Sequence, residues 1–193
     1  MKLYMVRHGQ STANAAGLHS GWSQAPLTEQ GEEDARRAGR VLKDISFDKV
    51  YVSDLLRAQQ TLKIALSGVT GEATPLLREI DVGELAGKTA ATCLEIYGER
   101  YCSDKVVRNF VPYGGEDDSM QTERIRKFAA QLEKNEQPYV AAFCHEGSIR
   151  CMLDLVMGQK HPRKEYPLNN GSVSIFAYTD GKWSLISWNQ ITE

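Results

Sequence analysis

This sequence predicts an α/β fold: a three-layer sandwich with a mainly parallel central sheet flanked by helices. Three observations carry that reading. Short apolar runs over 3–6, 47–52 and 139–144 each break off into a polar cluster, as buried strands do when they feed loops. Segments with helical spacing of apolar residues follow. No internal repeat, low-complexity tract or linker interrupts the alternation, and 193 residues suffice for one domain over 1–193 with a substantial core.

Taken in order, the strand at 3–6 runs into Arg7-His8-Gly9, and residues 9–26 form a long polar loop with His19 and Trp22. Thr28 can cap a helix whose first turn holds Glu29 and Glu32 and whose apolar face is Ala35, Ala38, Val41, Leu42 and Ile45. The strand at 47–52 ends in Ser53-Asp54. A helix over 55–66 then carries Arg57 in its first turn, where free N–H groups favour anions. Residues 74–77 read as a third strand leading to Arg78-Glu79-Ile80-Asp81-Val82-Gly83. Residues 88–101 read as one helix and 102–118 as irregular, with an acidic run at 116–118. Ser119 is the expected cap of a helix from 120 to about 134, packed through Phe128, Ala129 and Leu132. The strand at 139–144 ends in His145-Glu146-Gly147-Ser148, and a helix over 148–157 stops at Gly158. Pro162 and Pro167 mark a loop. Runs at 172–178 and 183–188 alternate as strands around a Thr179-Asp180-Gly181-Lys182 turn.

Net charge is -2 with no basic block, so nothing points to nucleic acid or a membrane surface. The apolar runs are too short for a membrane-spanning helix. The N-terminus lacks a signal-peptide core, and a cytoplasmic location is expected. Cys93, Cys102, Cys144 and Cys151 have neither CxxC nor metal-ligand spacing and read as reduced thiols. Cys144 beside His145 invites a catalytic-thiol reading, but it closes an apolar run and packs as a small hydrophobe.

Arg7-His8, the Ser53 to Arg57 turn, Glu79 and His145 each follow a candidate strand. A parallel sheet delivers such loops to one edge. Two Arg, two His and one Glu together suit phosphoryl transfer, whose transition state spreads negative charge over oxygens. A metal site is the rival reading. It fits poorly, because two Arg would repel a cation and no HxH or HExxH spacing occurs.

At these residues the sequence resembles the histidine phosphatase superfamily, with its phosphoglycerate-mutase-like fold. The matching stretches are Arg7-His8-Gly9-Gln10-Ser11 with Asn14, Pro26-Leu27-Thr28 with Gly31, and Ser53 through Thr61. Leu77 through Gly83 with Gly87, Gly114-Gly115-Glu116, His145 through Arg150 and Asn170-Gly171-Ser172 follow in family order. The resemblance implies His8 as the nucleophile that becomes phosphohistidine. It implies Arg7, Asn14, Arg57 and His145 as phosphate ligands. Glu79 would be the acid and then the base, with His145 catalytic as well. No cofactor and no metal are implied. Gln10, Ser11, Gly21, Trp22, Glu146 and Gly147 are candidate substrate contacts, and a variable cap lies at about 84–118.

Some of these residues have plainer readings. Arg150 suits a structural ion pair, and Asp81 competes with Glu79 as the acid. Trp22 and His19 read equally as packing or solvent-facing residues. The acidic run at 116–118 and the basic cluster at 160–164 suit solvated surface. Two positions depart from the family pattern: Glu146, where Gly is common, and Gln24, where Asp is common.

Glu79-Ile80-Asp81 resembles the phosphatase branches more than the mutases, and the cap lacks an Arg-Arg pair. The expected function is therefore hydrolysis of a small phosphorylated metabolite, releasing inorganic phosphate. A cofactor-dependent phosphoglycerate mutase is the alternative, and a non-catalytic phospho-ligand-binding module is another. Substrate identity and oligomeric state are not legible at this level.

Overall fold

The structure is a computed structural model that describes every residue except 135, 136, 163 and 193. Arg163 of the basic cluster at 160–164 therefore lies outside the described residues. The strands are β1 (Lys2–Arg7), β2 (Lys49–Ser53), β3 (Glu72–Thr74), β4 (Tyr139–Cys144), β5 (Val173–Thr179) and β6 (Lys182–Gln190). They form one sheet in the order β3-β2-β4-β1-β5-β6. The first four in that order run parallel, and β5 and β6 close the edge as an antiparallel hairpin.

Side chains alternate across this sheet, so each strand feeds two cores. Leu3 and Met5 of β1, with Val140 and Ala142 of β4, face Ile125, Phe128, Leu132, Ile149 and Met152. Those partners belong to α6 (Asp118–Leu132) and α7 (Glu146–Met157). Tyr4 and Val6, with Ala141 and Phe143, face Ala38, Leu42, Ala58 and Leu62. These lie on α2 (Glu29–Leu42) and α3 (Leu56–Ala65). The result is the three-layer α/β sandwich the alternation implies. Truncating a fully buried ring such as Phe143 or Phe128 to Ala would cost about 3–5 kcal/mol.

Register determines where the loops emerge. Arg7 pairs with Cys144, and Val52 pairs with Phe143. The carboxyl ends of β1, β2 and β4 are therefore level, and Arg7-His8, Ser53 and His145 leave the sheet side by side.

Several local expectations are corrected. The polar loop after β1 contains a one-turn helix, α1 (Thr12–Ala15), closed by a capping box between Ser11 and Asn14. The third strand ends at Thr74, and Pro75–Leu77 form a 3-10 turn, since Pro75 has no N–H for the ladder. Residues 88–101 do not form one helix. α4 (Ala90–Tyr97) ends at Gly98, whose φ of 65° an L side chain rarely adopts, and α5 (Glu99–Val107) follows at once. The segment expected to be irregular thus holds most of a helix. Asp117, not Ser119, caps α6 through Met120 N, and α7 starts two residues early, at Glu146. Ile80, Val82, Leu85, Cys93, Tyr101, Phe110 and Tyr113 give the cap its own small core. Among the described residues no helix is long and apolar enough to cross a membrane.

Candidate active site

β1 ends in Arg7-His8, and the loop at 169–172 holds this corner from behind. Asn170 Nδ2 donates to His8 O at 2.9 Å, and Gly171 N donates to Arg7 O at 3.1 Å. His8 is 4 % exposed. Its Nδ1 lies 2.7 Å from Gly9 O, a carbonyl that can only accept, so Nδ1 carries the hydrogen and Nε2 the lone pair. Burial, then the charges of Arg57 and Arg7, lower the ring's pKa to about 3. Neutral His8 is the state a nitrogen nucleophile needs.

Arg57 enters from the first turn of α3 and is 1 % exposed. Its Nη1 and Nη2 donate to Ser23 O and Gly21 O, both at 2.9 Å, which ties the loop after α1 to the site. Burial draws Arg57 down to about 10, so it stays charged at neutral pH. Arg7 Nη2 meets Glu146 Oε2 at 3.2 Å, and its Nη1 donates to Leu168 O. Arg7 Nε is buried without a hydrogen-bond partner among the described residues.

His145 follows β4 and is fully buried, its ring centroid 5.1 Å from that of His8. Nε2 lies 2.8 Å from Ser53 Oγ at the end of β2, while Nδ1 is buried without a partner among the described residues. Burial, then Arg57, His8, Arg124 and Arg7, hold its pKa well below 6.5, so the ring is neutral at neutral pH.

Glu79 comes from the loop after the 3-10 turn. Its Oε1 accepts from Ile80 N at 2.9 Å and Gln121 Nε2 at 3.0 Å, and Oε2 accepts from Gly147 N at 3.1 Å. Burial pushes this carboxyl up, but the Arg108 charge and these three hydrogen bonds outweigh it and leave the pKa at about 2. The loop is clamped through its carbonyls. Trp22 Nε1 donates to Glu79 O at 2.8 Å, Arg124 Nη2 donates to the same oxygen at 3.1 Å, and Ser148 Oγ donates to Arg78 O at 3.0 Å.

Arg7, His8, Asn14, Gly21, Arg57, Glu79 and Glu146 of the expected residues line a cleft of about 400 Å³, whereas His145 is fully buried beside the His8 ring and does not line it. Asn14 Oδ1 accepts from Ser11 N at 3.1 Å. Gln10, Ser11, Trp22 and Gly147 do not line this cleft. Gln10 Oε1 accepts from Thr28 Oγ1 at 2.9 Å, Ser11 caps α1, and Trp22 lies under the Arg78 guanidinium at 4.4 Å. Gly147 serves Glu79 from behind: a Cβ there would stand 2.1 Å from Glu79 Oε1. Asp81 does not line the cleft either, since its Oδ1 accepts from Gly83 N at 2.9 Å.

Glu146 is held between Arg7 and Arg150, whose Nε donates to it at 2.8 Å. Arg150 is thus the structural ion-pair partner expected. Glu116 is no solvated approach: it is buried, and its Oε2 accepts from Arg124 Nη2 at 2.7 Å and Asp81 N at 3.0 Å.

Reading the sequence missed the outer wall, made by Leu18, Ile80, Val82, Val106 and Phe110, with Lys105 and Arg108 beside it. It also missed Gln121. One signal was there, because Gln121 is a polar residue in the stripe Gln121, Ile125, Phe128 and Leu132 of α6. Among the described residues no group of three or more His, Cys, Asp or Glu is placed to hold a metal ion.

Sheet and cleft together define an α/β protein with two histidines, two arginines and a carboxylate gathered at the carboxyl edge of its parallel strands. Residues 3–191 match the histidine phosphatase superfamily (branch 1), and the chain belongs to that family. It is 29% identical over 196 residues to an adenosylcobalamin/alpha-ribazole phosphatase of Escherichia coli, covering 98% of this chain and 91% of the relative. A 2,3-bisphosphoglycerate-dependent phosphoglycerate mutase of Parvibaculum lavamentivorans is 35% identical over 167 residues, 78% of this chain and 77% of that protein. Among solved structures, a putative alpha-ribazole-5'-P phosphatase from Escherichia coli superposes with a TM-score of 0.88 at 26% identity. That match covers 98% of this chain and 96% of the other.

Proposed function

We propose that this protein is a metal-independent phosphomonoesterase that acts on a small phosphorylated metabolite through a phosphohistidine on His8. The observation that carries the reading is the locked tautomer of His8, with the Nε2 lone pair facing the Arg57 guanidinium at 3.3 Å. In the first step Nε2 attacks phosphorus and the bond to the leaving oxygen breaks. The electron pair goes to that oxygen, which takes a proton from Glu79. In the second step water attacks the phosphohistidine, Glu79 takes its proton, and the nitrogen–phosphorus bond breaks. Arg7, Arg57, Asn14 and the unpartnered Nδ1 of His145 hold the phosphoryl oxygens. An oxyanion there raises the proton affinity of both His145 and Glu79, so Glu79 gains its proton only when substrate is bound. Fixed cations supply the charge stabilisation that a metal supplies elsewhere.

Hydrolysis is favoured over mutase action by the cap. Its Arg108 is spent on Asp118 and Gln121, and the outer wall is largely apolar. Such a wall suits an alcohol with an apolar body better than a second phosphate, and an alpha-ribazole phosphate is the first substrate to try. The test is hydrolysis of p-nitrophenyl phosphate by wild type and His8→Ala, with and without chelator, followed by a panel of phosphate esters. Chelator-resistant release that His8→Ala abolishes is the expected result. Chelator-sensitive release overturns the mechanism. Turnover of 3-phosphoglycerate only with a bisphosphoglycerate primer would favour the mutase, and phosphate binding without turnover a binding module.

A further inference from the structure

We propose that Gln121, anchored by Arg108 of the cap, is the positioning residue of Glu79: it occupies Oε1 and leaves Oε2 as the oxygen that exchanges the proton. This deepens the phosphomonoesterase reading and rests on it. The orientation of the Gln121 amide is decided by its neighbours. Arg108 Nη2 lies 2.5 Å from one end, and a guanidinium can only donate, so that end is Oε1. The other end, Nε2, then donates to Glu79 Oε1 at 3.0 Å. That oxygen also accepts from Ile80 N at 2.9 Å, so a proton on it would face two N–H donors. Oε2 accepts at 3.1 Å from Gly147 N and, among the described residues, from no other donor.

Gln121 is fully buried on an apolar helix stripe, a costly position that these two hydrogen bonds offset. Arg108 is the left-handed C-cap of α5, with φ of 55°, an uncommon conformation for a non-glycine residue. Its Nε donates to Asp118 Oδ1 at 2.8 Å, and the residue borders the cleft. A hydrogen-bonded chain thus runs from the cap, which meets the alcohol half of the substrate, to the acid. Gly147 leaves room for it, because a Cβ there would also stand 2.6 Å from Gln121 Nε2. The other charged or titratable groups around Glu79 are Arg7 of β1, His8 just after it, Arg57 of α3, Cys144 of β4, His145 after it, Arg124 of α6 and Glu146 of α7. None of these donates to Oε1. As the phosphorus–oxygen bond breaks, the leaving oxygen takes the Oε2 proton while His8 Nε2 bonds to phosphorus. The attacking water returns a proton to Oε2.

The test compares wild type with Gln121→Leu on an alkyl phosphate and on p-nitrophenyl phosphate. Alkyl alcohols need the acid far more than nitrophenolate does. We expect kcat on the alkyl ester to fall about tenfold more than kcat on the aryl ester, with the basic limb of the alkyl-ester pH profile, where Glu79 loses its proton, moved up by about one unit. Equal losses on both esters with an unmoved profile overturn the proposal. Should Gln121→Leu not fold, Arg108→Met removes the anchor from the cleft side and carries the first expectation, since its lost charge by itself raises the Glu79 pKa. If the wild type hydrolyses neither ester, the phosphatase reading fails. The relay is then judged alone by carbon-13 titration of the Glu79 carboxyl: a rise in Gln121→Leu supports it, and an unchanged titration overturns it.

Discussion

Arg57 Nε donates to His8 Nε2 across 3.3 Å, so the buried guanidinium rests on the lone pair that the proposed reaction uses. The same charge helps keep the ring neutral. Arg57→Gln should therefore raise the proton affinity of His8 and slow hydrolysis at least about a hundredfold. It also leaves Gly21 O and Ser23 O short of donors, at a cost of about 1–3 kcal/mol. Histidine NMR titration, single-turnover rates and urea unfolding read the three effects. A variant with wild-type turnover would contradict the role given to Arg57.

Glu146 competes with a bound oxyanion for Arg7, since its Oε2 lies 3.2 Å from Nη2. Neutralising it in Glu146→Gln keeps the shape and removes the competing charge. Phosphate should then inhibit about 3- to 10-fold more tightly, a gain of about 1 kcal/mol. Inhibition constants for inorganic phosphate decide this, and weaker inhibition would show that Glu146 chiefly orients Arg7.

Gly147→Ala forces a methyl group against Glu79 Oε1 and the Gln121 amide, at 2.1 and 2.6 Å before relaxation. The carboxylate must shift, and kcat should drop by about a hundredfold, as misplacement of a reacting group does. Stability should fall by about 1–3 kcal/mol from overpacking. Steady-state kinetics beside urea denaturation check both, and unchanged kcat would sink the assignment of Glu79.

Stability should decline on mild acidification. His8 is lowered to about 3 by burial, then by Arg57 and Arg7, and burial first of all also holds His145 well below 6.5. Both rings stay neutral in the native state but take up protons in the unfolded chain below about pH 6.5. Stability present above about pH 6.5 is therefore lost as pH falls toward the folded values, at up to about 1.4 kcal/mol per pH unit for each histidine. Glu79, lowered to about 2, adds a loss of the same sign once pH drops below about 4.5. Melting temperatures from about pH 7.5 to 5 should fall, and vanadate should flatten the slope by raising the proton affinity of His145. A flat profile without ligand would show that the rings are charged in the native state.

Local chemistry explains how much of this was legible early. The strand ends at Arg7-His8, Ser53 and His145 show in the sequence because an apolar run breaking into polar residues marks a buried strand meeting a loop. Glu79 also follows a candidate strand in the sequence, but that strand stops at Thr74 and a 3-10 turn from Pro75 leads to the residue instead. Positions set by distant partners were not legible. Ser11 and Gln10 look like loop donors facing a ligand, yet one caps α1 and the other turns to Thr28. Trp22 looks like a cleft residue, but its indole N–H holds Glu79 O. Gln121 is an unremarkable helix residue until α6 is laid beside Glu79 and Gly147.

By itself, the sequence determined the layers of the fold, the edge of the sheet where chemistry collects and the residue types gathered there. Those follow from periodicity and from the breaks in it, which are properties of short segments. Only the tertiary structure decided protonation and orientation: the tautomer of His8, the neutral His145, the donors that reach each Glu79 oxygen and the pairing of Glu146 with Arg7. Each of these depends on burial and on a donor or charge from another element, often more than forty residues away, as Arg57 is from His8 and Gln121 from Glu79. Hydrogen bonds and desolvation act over a few ångströms in space, whatever the separation along the chain.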